Sequence, residues 1–421
     1  MRRGSVNERV PEGWKNELLD KITNRASGHT PSKSIPAYWD GGIKWVSLAD
    51  SSRLDKLFIN ETCKAISEDG IKNSSAVLLP KGTVILSRDA GVGKSAILQD
   101  DMAISQHFIA WDCSSKKNIY NIFLYYWLQS KKPLFETQAV GSTIKTIGLP
   151  FFKKLKITYP QFFEQQKIAH ILTTWDAAIT CTQKLLENSK QQKKALMQQL
   201  LTGRRRLPGF SKNWQKIKLG KLFSRVTTRN SEKCTTVVTI SAQQGLIRQE
   251  DFFSKAVASS TLDNYFLIKN GEFAYNKSYS KGYPFGAIKR LNKYELGVVT
   301  SLYICFSLHD SSQGDKDFFE HFFEYGSLNS ALEKIAHEGG RAHGLLNVKP
   351  EDFFAIHMTV PPLNEQKAIA EVLTAADALI AQYEARLDHL QMQKKALMQQ
   401  LLTGKIRVMP DTLGNAGATP A

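Results

Sequence analysis

The sequence predicts an α+β protein: two strand-rich globular domains, each followed by a long helix, arranged as a tandem repeat with an approximate two-fold relation. Three observations predict it. Gln192-Lys-Lys-Ala-Leu-Met-Gln-Gln-Leu-Leu-Thr-Gly203 recurs letter for letter at residues 393–404, and self-similarity at one fixed offset marks a duplicated architecture. Upstream of both copies, apolar residues keep a heptad rhythm. The stretches between carry short apolar runs and glycine turns, the pattern of β-structure.

The first variable block covers residues 9–160. It opens at Trp14, echoed by Trp214, and Trp45-Val-Ser-Leu-Ala resembles Val238-Thr-Ile-Ser-Ala. Val77–Leu86, with Gly82 at its centre, is the counterpart of a hairpin in the second block. Strands are predicted at Ala96–Leu98 and Met102–Trp111, then an amphipathic helix near Ile119–Gln129 and a glycine loop, Gly141-Ser-Thr-Ile-Lys-Thr146. Residues 161–207 form the first helical block. Its seam runs Ile168, Leu172, Trp175, Ile179, Thr182, Leu186, Ser189, Lys193, Leu196, Leu200, in steps of four and three. No Pro or Gly interrupts it. Such a stripe must be covered, and the cheapest cover is its twin. Thr182, Ser189 and Lys193 weaken this seam, either as register control or as tolerance near a solvated end.

Arg204-Arg205-Arg206 forms a joint into the second domain, residues 208–360, either as a solvated linker or in contact with phosphate. There, two apolar runs flank Asn270-Gly271 over Tyr265–Tyr275 and predict a hairpin. Strands follow at Gly286–Leu291 and Val298–Leu308, a helix near Phe318–Ile335, and a loop, Gly339-Gly-Arg-Ala-His-Gly344. Gly82, Gly271 and Gly286 are predicted turn-formers. The second helical block, residues 361–408, repeats the seam at Ile369, Leu373, Ala376, Ile380, Tyr383, Leu387, Leu390, Lys394, Leu397 and Leu401. Each helix should span roughly 50 Å. The polar tail, residues 409–421, is expected to be disordered.

Composition narrows the function. In 421 residues, 56 Lys and Arg stand against 39 Asp and Glu, a net charge of +17 and a pI near 9.5, which points to a polyanionic partner, nucleic acid first. No stretch reaches the length of a membrane span, and the N-terminus lacks an apolar signal core. Five scattered cysteines without a CxxC pair argue against a zinc ribbon or disulfide framework and for the cytoplasm.

Catalytic motifs fail on their chemistry. Gly91-Val-Gly93-Lys94-Ser95 lacks the earlier glycine of a phosphate loop, since Arg88 stands there, and Ala96-Ile97-Leu98 reads as strand rather than helix. His337-Glu338 has Arg341 where a zinc-protease helix needs its second His. Val360-Pro-Pro-Leu363 supplies neither the amide nor the aromatic of a base-flipping methyltransferase pocket. Glu164 and Glu365 lie at helix starts, where the dipole favours them, without the carboxylate cluster of a nuclease. No catalytic residue, metal site or cofactor of its own is predicted.

The two helix openings, Tyr159-Pro-Gln-Phe-Phe-Glu164-Gln165 and Pro361-Pro-Leu-Asn-Glu365-Gln366, with the repeated Leu-Met-Gln-Gln-Leu-Leu-Thr-Gly ends and the Gly-Ser-Thr and Gly-Gly-Arg loops, give a chain that resembles the specificity subunit of a type I restriction-modification system over about residues 10–408. The resemblance implies two target-recognition domains, each reading half of a split, asymmetric site on double-stranded DNA. It implies that the helices pair as an antiparallel coiled coil, a ruler that also docks two methyltransferase (modification) subunits. Those subunits would bring S-adenosylmethionine, while restriction/translocase subunits bring ATP and Mg, for host defence. Base and phosphate contacts are expected at Arg88, Lys94, Ser142, Thr143, Lys145 and Thr146 in the first domain. In the second they are expected at Asn276, Lys277, Tyr279, Lys281, Tyr283, Arg341 and His343. A coiled-coil adaptor that binds proteins rather than DNA is the alternative.

Overall fold

Both heptad blocks are helical over equivalent residues, Phe162–Leu200 and Leu363–Leu401, 39 residues each, or about 58 Å at ~1.5 Å per residue. The computed structural model describes residues 10–142, 145–241, 244–252, 261–280, 282–338 and 346–408. Every predicted seam position of both helices is buried or half-buried, so the heptad pattern marks the packed face. Thr182 is among the buried ones, its hydroxyl donating to the Ala178 carbonyl at 2.9 Å.

The chain divides into two compact units. One comprises residues 1–182 and 386–421, the other residues 183–385. Each unit therefore holds one strand-rich body, the start of the helix that follows it, and the end of the other helix.

Within each unit the two helical pieces run antiparallel, held by the same contacts at repeat-equivalent residues. In the first unit Lys394 Nζ donates to Asp176 at 2.5 Å, and Arg407 grips Glu164 through Nε and Nη2 at 2.8 and 2.9 Å. In the second, Lys193 donates to Asp377 at 2.5 Å, and Arg206 grips Glu365 at 2.5 and 2.6 Å. Arg206 also lies over the Trp214 ring. It is a clamp residue rather than part of a solvated joint. Its partner Glu365 is 1% exposed, so this carboxylate is held by a fork of donors as well as by its helix start. Buried pairs of this kind add little net stability, but one partner left alone is costly, so they discriminate against other registers.

The next residue in each motif ties helix to body. Gln165, fully buried, accepts from the Tyr120 amide and donates to the Asn118 and Pro160 carbonyls. Gln366 accepts from the Asp315 amide and donates to the Pro361 carbonyl. At the other end of each repeat, Gly203 and Gly404 take left-handed φ values of 69° and 70°. A Cβ on Gly404 would lie 2.6 Å from Pro11 and 3.1 Å from Trp14. The helix stop and the tryptophan that opens each body thus pack together, which explains the Trp14/Trp214 echo.

The bodies share one strand order. In the first unit a sheet runs Asn24–Ser27, Phe108–Asp112, Val84–Ser87, Ser95–Leu98 and Phe58–Ile59; the second runs Phe223–Val226, Ile304–Leu308, Phe273–Asn276 and Ala287–Arg290. The four strands common to both are antiparallel. Each body is closed by its terminal strands, Lys15–Leu18 with Lys156–Tyr159 and Gln215–Lys218 with His357–Val360.

Several predicted elements differ. Met102–Trp111 is two strands, Ala103–Ile104 and Phe108–Asp112, and Val298–Leu308 is likewise two, Leu296–Val299 and Ile304–Leu308, each pair divided between different sheets. Asn270-Gly271 makes its turn, with Gly271 at φ +84°, but the flanking strands do not pair as a hairpin. Phe266–Lys269 pairs with Leu296–Val299, while Phe273–Asn276 joins the main sheet. The equivalent run in the first unit behaves likewise, Leu79 bridging Met102 while Val84–Ser87 enters the sheet. Long-range partners outcompeted the local turn. The helix expected over Phe318–Ile335 is two, Lys316–Glu324 and Asn329–Ile335, parted at Gly326, which sits at φ +79°. The tail, residues 409–421, lies outside the described residues.

Candidate nucleic-acid interface

In the first unit the strand Val84–Ser87 runs into Arg88, turns through Gly91-Val92-Gly93, and returns through Lys94 into Ser95–Leu98. The turn is knitted by Gly93 N–H to the Ser87 carbonyl at 3.0 Å and Ser87 N–H to the Lys94 carbonyl at 2.8 Å. The stretch after Lys94 is strand, so the rejection of a phosphate loop stands. Lys94 Nζ donates to the Ser51 carbonyl and hydroxyl, both at 3.1 Å, which aims the ammonium along the turn.

Beside the turn opens a cleft of about 550 Å³ that also takes in Lys132, Glu136 and Lys145. Lys132, from the helix Lys132–Gln138, donates to Asp55 at 3.1 Å. With Lys132 paired to Asp55, Lys94 and Lys145 face Glu136 here, which leaves the cleft a small positive excess. Lys145 and Ser142 are exposed and Thr146 is half-buried. Thr146 exchanges two main-chain hydrogen bonds with Val140, closing the base of the Gly141–Thr146 loop. Thr143 lies outside the described residues. Lys132 was not anticipated from sequence, because it stands on a helix far along the chain from Lys94 and only the fold joins them.

The second unit is built differently at the same place. Asn276 ends its strand and its side chain accepts from the Ser278 amide at 3.1 Å. Lys277 follows, half-buried, with Nζ 3.5 Å from the Val348 carbonyl. Burial, reinforced by the nearby Arg225, lowers its pKa. Tyr279 is 63% exposed. Tyr283 instead packs inward: its hydroxyl donates to Glu324 at 2.6 Å, and Lys289 lies over its ring while also pairing with Glu324. Burial and the Glu324 bond push the phenol pKa up. Lys281, Arg341 and His343 lie outside the described residues.

Arg88 is held too. Its Nε donates to the Ile147 carbonyl at 3.1 Å, and its side chain is 17% exposed. Of the described candidates, then, Lys94, Ser142, Lys145 and Thr146 gather at one turn-and-loop edge. Asn276 and Tyr279 mark the equivalent edge in the second unit.

The comparisons agree with this duplicated design. Residues 11–190 match the family model described as the type I restriction modification DNA specificity domain. The MjaIX specificity subunit of Methanocaldococcus jannaschii is 30% identical over 190 residues, 45% of this chain and 42% of that protein's own length. The MjaVIII specificity subunit of the same organism is 24% identical over 432 residues, covering 95% of this chain and 94% of the relative. Among solved structures, the type I system S subunit from M. genitalium superimposes with a TM-score of 0.55 at 15% identity, covering 94% and 97% of the two chains. The HsdS subunit from Thermoanaerobacter tengcongensis gives 0.53 at 16%, covering 95% and 99%. These structural likenesses establish a shared fold. The fold is that of these duplicated, helix-joined chains. Residues 11–190 match the type I restriction modification DNA specificity domain, and the chain is similar over nearly its whole length to type I specificity subunits. Among the described residues no helix is long and apolar enough to cross a membrane.

Proposed function

We propose that this chain is the DNA-recognition subunit of a type I restriction-modification complex, each unit reading one half of a bipartite, asymmetric double-stranded target. The observation that carries this is the pairing of one strand order and one set of clamps with two unlike edges. The frame is held constant where the chain must assemble. The lysine cleft around Lys94 and the Asn276–Tyr279 edge differ where sequence would be read. An asymmetric target follows from unlike readers.

The long helices serve as spacer and as docking surface. In the letter-for-letter repeat, Gln192, Lys194, Ala195 and Gln198 are exposed, as are Gln393, Lys395, Ala396 and Gln399. Packing does not require these side chains to match, so a partner present in two copies, the modification subunit, accounts for their identity. Catalysis belongs to the partners: S-adenosylmethionine sits on modification subunits, ATP and Mg on restriction/translocase subunits, and the complex works in the cytoplasm. The +17 charge favours DNA over a protein-only adaptor role.

Reconstitution tests this. The purified chain alone should neither cleave nor methylate DNA, and adding its modification subunits should give site-specific methylation. Methylation by the chain alone would overturn the proposal, as would DNA affinity that does not fall with rising salt.

A further inference from the structure

One β-turn is built twice. In the first unit it joins Ala103–Ile104 to Phe108–Asp112, and the Phe108 amide donates to the Ser105 carbonyl at 3.1 Å. In the second it joins Leu296–Val299 to Ile304–Leu308, and the Tyr303 amide donates to the Thr300 carbonyl at 3.1 Å. The strand leaving each turn lies against the central strand, Phe108 opposite Ser87 and Ile304 opposite Tyr275. Antiparallel pairing therefore sets each turn at the sheet end where the central strand finishes. That end carries the Arg88–Lys94 turn in one unit and the Asn276–Tyr279 edge in the other.

The frame of the turn is kept and its corners are not. Its last residue faces inward in both units: Phe108 is fully buried, and Tyr303 is buried with its hydroxyl 3.3 Å from Thr239. The corners are Gln106-His107 in the first unit and Ser301-Leu302 in the second. Gln106 is exposed, its Oε1 accepting from the Thr30 hydroxyl, which leaves its amide nitrogen to donate. His107 Nδ1 lies 2.5 Å from Oδ2 of buried Asp89, and Nε2 makes no hydrogen bond among the described residues. The ring is thus held by one nitrogen and offers the other. Leu302 is 60% exposed. Single exposed apolar side chains are common on protein surfaces, but this one occupies the corner where the other unit offers hydrogen-bonding groups. The turn closes at the same distance with either pair, so its own geometry does not demand the difference.

We infer that these corners determine sequence specificity. Gln106 and His107 hydrogen-bond a base edge in one half-site, and Leu302 covers the 5-methyl group of a thymine in the other. This rests on the DNA-recognition reading above. The major groove distinguishes base pairs by donors, acceptors and the thymine methyl. A polar corner and an apolar corner on one backbone frame therefore select different pairs.

The experiment uses the full chain co-purified with its modification subunits, as wild type, Gln106→Ala/His107→Ala, Leu302→Ala and Leu302→Met. Methylation mapped across a host genome gives each motif. Salt titration of binding to a fluorescein-labelled duplex carrying the wild-type motif reports phosphate contacts. Each alanine variant is expected to make one half-site degenerate, a different half for each, with discrimination falling about five- to a hundredfold. The salt slope should not change, and retention of the other half-site shows that the frame still folds. Leu302→Met, which keeps an apolar side chain, is expected to keep the motif. The base pair that Leu302→Ala ceases to read is expected to be A·T. Replacing its thymine with uracil removes only the methyl, and should weaken binding by the wild type but not by Leu302→Ala. An intact motif in both alanine variants would overturn the inference, as would a G·C pair at the lost position or a uracil duplex bound by the wild type as tightly as thymine. A slope reduced by about 0.9 with the motif intact would reassign the corner to phosphate and overturn it too. Absence of any duplex binding by the wild-type complex would instead refute the DNA-recognition reading itself.

Discussion

Replacing Gln165 with alanine should open the joint between the first body and its helix. Gln165 is completely buried and makes three bonds to main chain: from the Tyr120 amide at 2.7 Å, and to the Asn118 and Pro160 carbonyls at 3.1 and 3.0 Å. A typical bond contributes about 1 kcal/mol net, and each buried main-chain group left without a partner costs about 1–3 kcal/mol. The expected loss is thus about 3–5 kcal/mol. For a unit of roughly 200 residues this lowers the unfolding midpoint by about 6–20 °C. Hydrogen exchange with mass spectrometry localises the effect: protection should fall in residues 118–130 and 160–176 and hold in residues 313–330 of the other unit. Gln165→Glu keeps an acceptor for Tyr120 but aims a carboxylate at two carbonyls, so it should be no better than alanine. Exposed Gln166→Ala is the control, within about 0.5 kcal/mol of wild type. A Gln165→Glu chain as stable as wild type would refute the reasoning.

Three further outcomes are expected. Replacing Lys94, Lys132 and Lys145 together with alanine should reduce the salt slope of duplex binding by about 2–3, one phosphate for each lysine that reaches the backbone; an unchanged slope would remove the cleft from the interface. Burial, with Lys193 nearby, holds the His321 pKa below 6.5, although Asp377 and Asp317 pull it upward and Arg290 adds to the lowering. The folded unit therefore binds fewer protons than the unfolded chain. The stability this contributes is complete above pH 6.5 and is lost as pH falls below it toward the folded value, a loss that a His321→Gln chain should not show in pH-dependent urea denaturation. Inserting four residues before Thr202 should lengthen the interval between methylated half-sites while leaving both halves readable; an unchanged interval would deny the helices a spacer role.

The repeat was the most legible feature, because a heptad seam is a local period and both helices must bury it. One position weak as seam proved informative once folded: Lys193 is not a tolerated defect but the ion-pair partner of Asp377, as its repeat equivalent Lys394 is of Asp176. Glu164 and Glu365 could be placed at helix starts from sequence, but not matched to Arg407 and Arg206. Those pairs join the start of one helix to the residues just past the end of the other, and no local pattern encodes a partner so distant. The hairpin at Asn270-Gly271 misled for a related reason. A turn dipeptide specifies the reversal of the chain, and burial decides which strands then pair. At the candidate interface, glycine turns and basic residues pointed to a candidate edge, yet residue type could not distinguish exposed Tyr279 from Tyr283, committed to Glu324 and Lys289. Nor could it find Lys132, which reaches the cleft only through the fold.

The most direct test of the account is a base-resolution map of methylated adenines in a methylation-free host expressing the chain with its modification subunits. The account predicts one motif of two unlike half-sites at a fixed interval, absent when the chain is omitted. A contiguous motif, or the same motif without the chain, would contradict it.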